Sequence, residues 1–352
     1  RLALERMWTS MVERQMYIHG GLGSRHENEG FGGDYELPNA RAYAETCAAV
    51  ANGMWNWRML QIEADSRYAD LLELALYNNV LAGVSLDGEG YFYQNPLSDD
   101  GSHRRQRWFT VACCPGNLAR MLASLPGMIY SASVEGVWVH LYAASHASIA
   151  LPDSRNIRLA QRTDYPWSGE VAFTMETPGR YSLFLRLPGW CGQDWSADAN
   201  GEPVPARIDK GYLRIERDWQ AGDRVSLKMP MKARQVECAP QVVENQGRVA
   251  LMYGPLLYCF EGADHPGLDV RRLLLAPQDF TARFHPDLLG GVVALHGQAV
   301  LRENEADWDT RLYRPRLETS QAQRRTVPAT AIPYYAWANR APGEMQVWVR
   351  VE

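Results

Sequence analysis

The sequence predicts a multidomain α + β protein, helical first and antiparallel β afterwards. Three observations predict it. At 352 residues the chain exceeds what one hydrophobic core usually serves, so two or three domains are expected. Up to about residue 130 the apolar residues recur at helical spacing. From about Ser133 they alternate, with glycine-containing turns between the runs. The expected division is 1–132, 133–236 and 237–352.

In chain order, the first helix is read over residues 1–17, where Leu2, Leu4, Met7, Trp8, Met11 and Val12 fall near one stripe. A glycine-rich loop, 18–38, follows. Pro38-Asn39 then opens a helix to about Ala64, with Asn39 as its N-cap. Another helix covers 66–81 on Tyr68, Leu71, Leu72, Ala75 and Leu76, with Glu73 at the edge of that stripe. Asp87-Gly88 marks a turn before an extended aromatic run, 91–96, and a polar loop, 98–107. Pro115 reads as the first residue of a helix over 116–125, stopped by Pro126-Gly127. Beyond it, Val137, Val139 and Leu141 alternate, as do Leu183, Leu185 and Leu187, Leu213 and Ile215, and Val225 and Leu227. With turns at Pro188-Gly189, Asn200-Gly201 and Ala221-Gly222-Asp223, this predicts an antiparallel β-sandwich. A second β-rich block starts near Cys238 and includes 249–253, 256–260 and 347–349. A less regular segment, 270–315, interrupts it.

Composition excludes some partners. Net charge is −5 and the pI about 6.0, with no basic cluster, so nucleic acid and anionic membranes are not expected. No apolar run reaches the ~18–20 residues of a membrane span. No signal peptide is visible, but the chain opens on Arg1 inside a helical pattern and reads as the interior of a longer protein. Twelve Trp and seventeen Tyr suit sugar binding and a β-sandwich core equally well. The six Cys do not follow the spacing of a small disulfide scaffold, which points part of the set toward metal or catalysis. Free thiolates fit a reducing bacterial cytoplasm, the expected location, with a secreted or periplasmic one left open.

The chemistry concentrates in two stretches. The first holds Glu29 among glycines and the unit Glu45-x-Cys47; the second is Cys113-Cys114-Pro115. A helix beginning at Pro115 places both thiols at a helix N-terminus, where unpaired N–H groups and the dipole favour thiolate. Together with Glu45 and Cys47 they form an S3O donor set, which suits tetrahedral zinc. Two considerations oppose this. Residues two apart on a regular helix point about 200° apart, and three thiolates with one carboxylate leave a zinc site at net −2. Spacing alone therefore leaves open a metal site or buried Cys acting as small hydrophobes. Glu29 reads either as an exposed loop acid or as a general acid/base that glycines bring close to a ligand. Glu73 is a solvated or ion-paired acid on residue grounds. His19 and His26 read either as substrate contacts or, as a lone His more often does, as structural residues.

The segments GGLGSRHENEGFGGDYELPN, YAETCAAVANGMWNWRML, YADLLELALYNNVLAGVSLDGEGYFYQNPL and RQRWFTVACCPGNLARMLASL resemble glycoside hydrolase family 127, the β-L-arabinofuranosidase family, formerly a domain of unknown function. The later PGW and PYYAWANR segments extend the resemblance along the chain. It implies the C-terminal part of an (α/α)6 barrel followed by two antiparallel β-sandwich domains, the last available for homodimerisation. It implies a retaining glycosidase with Cys113 as nucleophile, Glu29 as acid/base and Zn2+ on Glu45, Cys47, Cys113 and Cys114. Glu73, Tyr93 and His26 would contact the sugar of a plant-type oligosaccharide or glycoconjugate, with selectivity expected in the HENEGFGG loop. The resemblance also implies that the N-terminal part of the barrel lies outside these residues, so little hydrolysis is expected from the chain alone. The rival reading is a non-catalytic carbohydrate-binding or scaffold protein with a structural Cys3Glu zinc site. A thiol hydrolase of another kind lacks its expected Cys-His-Asn order.

Overall fold

The helical region rests on α1 (Leu2–Arg14), α2 (Thr46–Glu63), α3 (Ser66–Ala75) and α4 (Cys113–Ser124). The structure is a computed structural model that describes residues 1–276, 279–303, 312–313 and 323–351, and strand counts below are of these residues. α2 ends on Ala64 in the left-handed conformation, and Asp65 then caps α3 by accepting from the Arg67 N–H. Val50, Trp57 and Leu60 of α2 pack with Tyr68, Ala69 and Leu72 of α3 and with Leu118 and Met121 of α4. α1 adds Trp8 and Met11, while Leu2 and Met7 of its expected stripe lie exposed. α3 passes into a single π-helical turn, Leu76–Val80, which buries Asn78 and Asn79 side by side. No helix among the described residues is long and apolar enough to cross a membrane.

Two helix starts differ from expectation. α2 begins at Thr46, not at residue 39. Asn39 caps nothing and instead donates from Nδ2 to Asn245 Oδ1 at 2.8 Å. The preceding residues cannot be helical because their backbone groups are taken elsewhere: the Ala44 N–H donates to Gly23 O, and the Thr46 N–H to Tyr93 O. α4 begins two residues before Pro115. The proline sits in the first turn, where its missing N–H costs nothing. Pro126 opens a further short helix, Pro126–Ile129, rather than a loop.

The middle region has a five-stranded sheet (Ile208–Asp209, Tyr212–Trp219, Gly179–Arg186, Gly136–Val139, Tyr130–Ser133) and a six-stranded one (Ser145–Ala150, Asn156–Thr163, Glu170–Met175, Arg224–Lys228, Ser196–Ala199, Glu202–Pro203). They share one core. Leu183, Leu185, Leu213 and Ile215 come from the first sheet, and Leu159, Val171, Phe173, Val225 and Leu227 from the second. The alternation read from the sequence is the burial of every second side chain in Arg224–Lys228, whereas Tyr181–Arg186 is buried on both faces. Asn200 and Gly201 both take positive φ, as a two-residue hairpin turn requires.

Where the sequence predicts a second pair of sheets, the structure has one ten-stranded sheet. Strands Leu256–Glu261, Gln323–Pro333, Val292–Glu303, Leu274–Leu275, Val349–Val351 and Arg248–Tyr253 follow one another, and the last pairs back onto the first. The sheet thus closes like a barrel, leaving these six strands without a free edge. The segment expected to be irregular contributes a hairpin of Thr281–His285 with Val292–Glu303; its residues 277–278, 304–311 and 314–315 lie outside the described set. Ala233–Val236 pairs into this last sheet, while Tyr130–Ser133 already belongs to the middle region.

The helical region is tied to both β regions. Ser98–Asp99 adds a strand against Met345–Gln346. Asn78 donates to Pro255 O and accepts from the Leu257 N–H. Arg186 of the middle region, fully buried, reaches Asp70 and Glu73 of α3.

Candidate active site

Glu45, Cys47, Cys113 and Cys114 converge, with their donor atoms all within 4.8 Å of one another. Each sits at the start of a helix. Glu45 is the N-cap residue of α2 and Cys47 lies in its first turn; Cys113 and Cys114 are the first two residues of α4. Two sets of unpaired N–H groups and two dipole ends therefore face one cluster of acidic groups, which stabilises negative charge there. The 200° objection falls away because Glu45 is extended (φ −59°, ψ 138°) rather than helical.

The separations test whether one metal fits. Cys47 Sγ is 3.4 Å from Cys114 Sγ, and Cys113 Sγ is 3.8 Å from Cys114 Sγ. Glu45 Oε1 lies 3.5 Å from the sulfurs of both Cys113 and Cys114. None of these is a disulfide, and all six cysteines are free. A tetrahedron with metal–sulfur bonds of about 2.3 Å has edges of about 3.8 Å between sulfurs and about 3.5 Å from sulfur to oxygen. These four separations lie close to those edges and all donors lie within 4.8 Å of one another, so the donor set could hold a single tetrahedral ion.

The thiols differ. Cys47 is held below the usual thiol range, first by its contact with Cys114 and next by the Asn117 amide, whose Nδ2 donates to Cys47 Sγ at 3.1 Å. Cys114 is pushed well up by the same contact with Cys47 and by burial. Cys113 is pushed up by burial, and the Tyr93 hydroxyl, 3.1 Å from its sulfur, opposes that by stabilising thiolate. Cys114 is buried, whereas Cys113 is only half-buried.

Glu29 stands on the glycine-rich loop with positive φ (51°) and an exposed side chain. The buried Tyr43 hydroxyl donates to its Oε1 at 2.8 Å. The Tyr43 ring lies 6.2 Å from that of Tyr93, so phenols link Glu29 toward Cys113. His26 packs edge-on against Tyr43 at 5.0 Å and lines a cleft of about 860 Å3 between the loop and residues 241–244. Two expected contacts are not in this group. Glu73 is buried, its carboxylate bonded to Arg186. His19 is wholly buried, and its Nε2 donates to Asn95 O. Sequence reasoning passed over Tyr43 and Asn117. Helical spacing gave a signal for Asn117, four residues after Cys113; local spacing gave none for Tyr43, which precedes the left-handed Ala44.

Three family models match the chain in order: the β-L-arabinofuranosidase GH127 catalytic domain over 1–127, the GH127 middle domain over 136–231 and the glycoside hydrolase family 127 C-terminal domain over 233–350. The chain belongs to glycoside hydrolase family 127. A non-reducing end β-L-arabinofuranosidase of Bifidobacterium longum subsp. longum is 38% identical over 373 aligned positions, covering 98% of this chain and 55% of that protein. A GH127 β-L-arabinofuranosidase from Geobacillus stearothermophilus T6 superposes with a TM-score of 0.91 at 43% identity, over 98% of this chain and 56% of that one. A second GH127 β-arabinofuranosidase structure gives a TM-score of 0.91 at 35% identity, over all of this chain and 56% of that one. This family 127 chain thus spans a little over half the length of these relatives.

Proposed function

We propose that this chain carries the nucleophile and acid/base of a retaining glycosidase that releases β-L-arabinofuranosyl groups, or a related plant-glycan sugar, with Zn2+ on Glu45, Cys47, Cys113 and Cys114. The observation that carries the reading is the four-donor cluster with its half-buried Cys113. Both relatives named with an organism are described as β-L-arabinofuranosidases. The ion would keep the Cys113 sulfur deprotonated at neutral pH. Helices α1–α4 are read as part of an (α/α)6 barrel wall.

Cys113 Sγ attacks the anomeric carbon, and the glycosidic C–O bond breaks as Glu29 gives its proton to the leaving oxygen. A thioglycosyl–Cys113 intermediate results. Glu29, now a carboxylate, takes a proton from water. The water oxygen attacks the anomeric carbon as the C–S bond breaks, which returns thiolate to Cys113 and leaves Glu29 protonated by that same proton, as at the start. Tyr43 orients Glu29 through its 2.8 Å hydrogen bond, and Tyr93 stabilises charge on Cys113. Burial of Cys114 favours Cys113 as the attacking sulfur, and a reachable thiol weighs against a purely structural metal site. The test is incubation with a haloacetamide-bearing β-L-arabinofuranoside and mapping of the adduct by mass spectrometry. Labelling at Cys113 is expected; labelling confined to Cys191, Cys238 or Cys259, or none, counts against the mechanism.

A further inference from the structure

The Glu45–Cys47 pair depends on one unusual residue, Ala44. Its φ is +37°, a left-handed value that is strained for a non-glycine residue and persists only where the surroundings impose it. That turn makes Glu45 extended and starts α2 at Thr46, so Glu45 Oε1 and Cys47 Sγ reach one centre. Continued helix through Ala44 would send them about 200° apart.

The surroundings that impose it converge on Asn95, which is wholly buried. Asn95 Nδ2 donates to Ala44 O at 2.9 Å and to Thr46 Oγ1 at 3.0 Å, spanning Glu45 from both sides. Its backbone N–H donates to Tyr43 O at 3.2 Å. Thr46 Oγ1 gives its own proton to Phe92 O at 2.9 Å, so it accepts from Asn95, which fixes the amide's orientation. Asn95 is held in turn: His19 Nε2 donates to its carbonyl at 3.1 Å, and His19 Nδ1 accepts from the Gly21 N–H. Asn79, on the π-helical turn, gives a longer bond of 3.4 Å to the same Ala44 O.

We propose that Asn95 is a positioning residue for the metal site: it holds Ala44 in the left-handed conformation and so sets the angle at which Glu45 and Cys47 share an ion. Its side-chain hydrogen bonds go to Ala44 and Thr46 and not to the donor atoms themselves. The inference rests on the reading that the four donors hold one metal.

The test compares Asn95→Asp and Asn95→Ala with Asn78→Ala in the metal-free, reduced chain. Asp keeps the shape but cannot donate to Ala44 O. Asn78 is equally buried and makes bonds to Leu74, Pro255 and Leu257, none to residues 44–46. Zn2+ affinity is read by competition with a chromophoric chelator, and site geometry by the thiolate-to-cobalt charge-transfer spectrum after Co2+ loading. Both Asn95 variants are expected to bind Zn2+ about 10–100-fold more weakly and to change the cobalt spectrum, as outer-shell losses do. Asn78→Ala is expected to lower Tm with affinity and spectrum unchanged. Asn95 variants that lose Tm but keep affinity and spectrum overturn the proposal. If they do not fold, Thr46→Val, which removes one acceptor at near-constant volume, is expected to weaken binding several-fold, and unchanged affinity overturns it. Absence of Zn2+ binding by the unaltered chain overturns the metal reading and this inference together; equal binding by all variants overturns this inference alone.

Discussion

Two acidic clusters lie in the helical region, and they are balanced in opposite ways. Asp70 and Glu73 on α3 face Arg186, which bonds to both and donates from Nε to His140 O at 2.6 Å. That cluster is complete within the chain and joins two regions. Glu45, Cys47, Cys113 and Cys114 have no cationic side chain among their hydrogen-bond partners in the described residues; helix N-termini, Tyr93 and Asn117 are what face them. A closed ion network is a structural joint, whereas a group of acidic donors spaced for a tetrahedron is completed by an external cation.

Breaking the first cluster should have the largest effect. Arg186→Met leaves the buried Glu73 carboxylate without its cation and the partly exposed Asp70 with only the Gly189 N–H, and is expected to cost about 3–5 kcal/mol of unfolding free energy, measured by urea denaturation, with Zn2+ affinity of the folded fraction retained. Loss of Zn2+ binding at equal foldedness would mean that the clusters are coupled. Next comes acid. His140, buried beside Arg186, has its pKa lowered to about 3, first by burial and then by Arg186. An unfolded His titrates near 6.5, so between about pH 6.5 and 3 the unfolded chain binds the extra proton. Stability from this group is full above pH 6.5 and falls by about 1.4 kcal/mol per pH unit below it. His140→Gln should flatten that part of the stability–pH curve, and an unchanged slope removes His140 as its source. The smallest effect probes the second cluster. Asn117→Ala removes the amide donor to Cys47 and is expected to weaken Zn2+ binding about tenfold while barely moving Tm. Unchanged affinity would make Asn117 a bystander.

The sequence made the helical and β regions legible because periodicity is local: Leu183, Leu185 and Leu187 announce a strand by themselves. Closure of the last sheet was not legible, since it depends on Arg248–Tyr253 meeting both Leu256–Glu261 and the distant Val349–Val351. The four candidate ligands were visible as residue types, and Pro115 correctly marked the start of a helix near the thiols. The arrangement of Glu45 and Cys47 was not visible, because nothing in Ala44 signals positive φ; long-range bonds from Asn95 and Asn79 impose it. Glu73 shows the same limit. Its environment is set by Arg186, 113 residues away, and of the readings open to it the structure has the buried ion pair.

The strand formed by Ser98–Asp99 has a consequence during synthesis. The Ser98 hydroxyl bonds to Gln346, 248 residues further along. At a translation rate of about 5–20 residues per second, the ribosome needs roughly 10–50 s to supply that partner. Arg105, on the way to α4, likewise donates to Trp337 O, so residues 98–105 lack these anchors in the last region throughout that interval. The segment that leads into the thiol-bearing start of α4 is therefore fixed only after the last region has emerged.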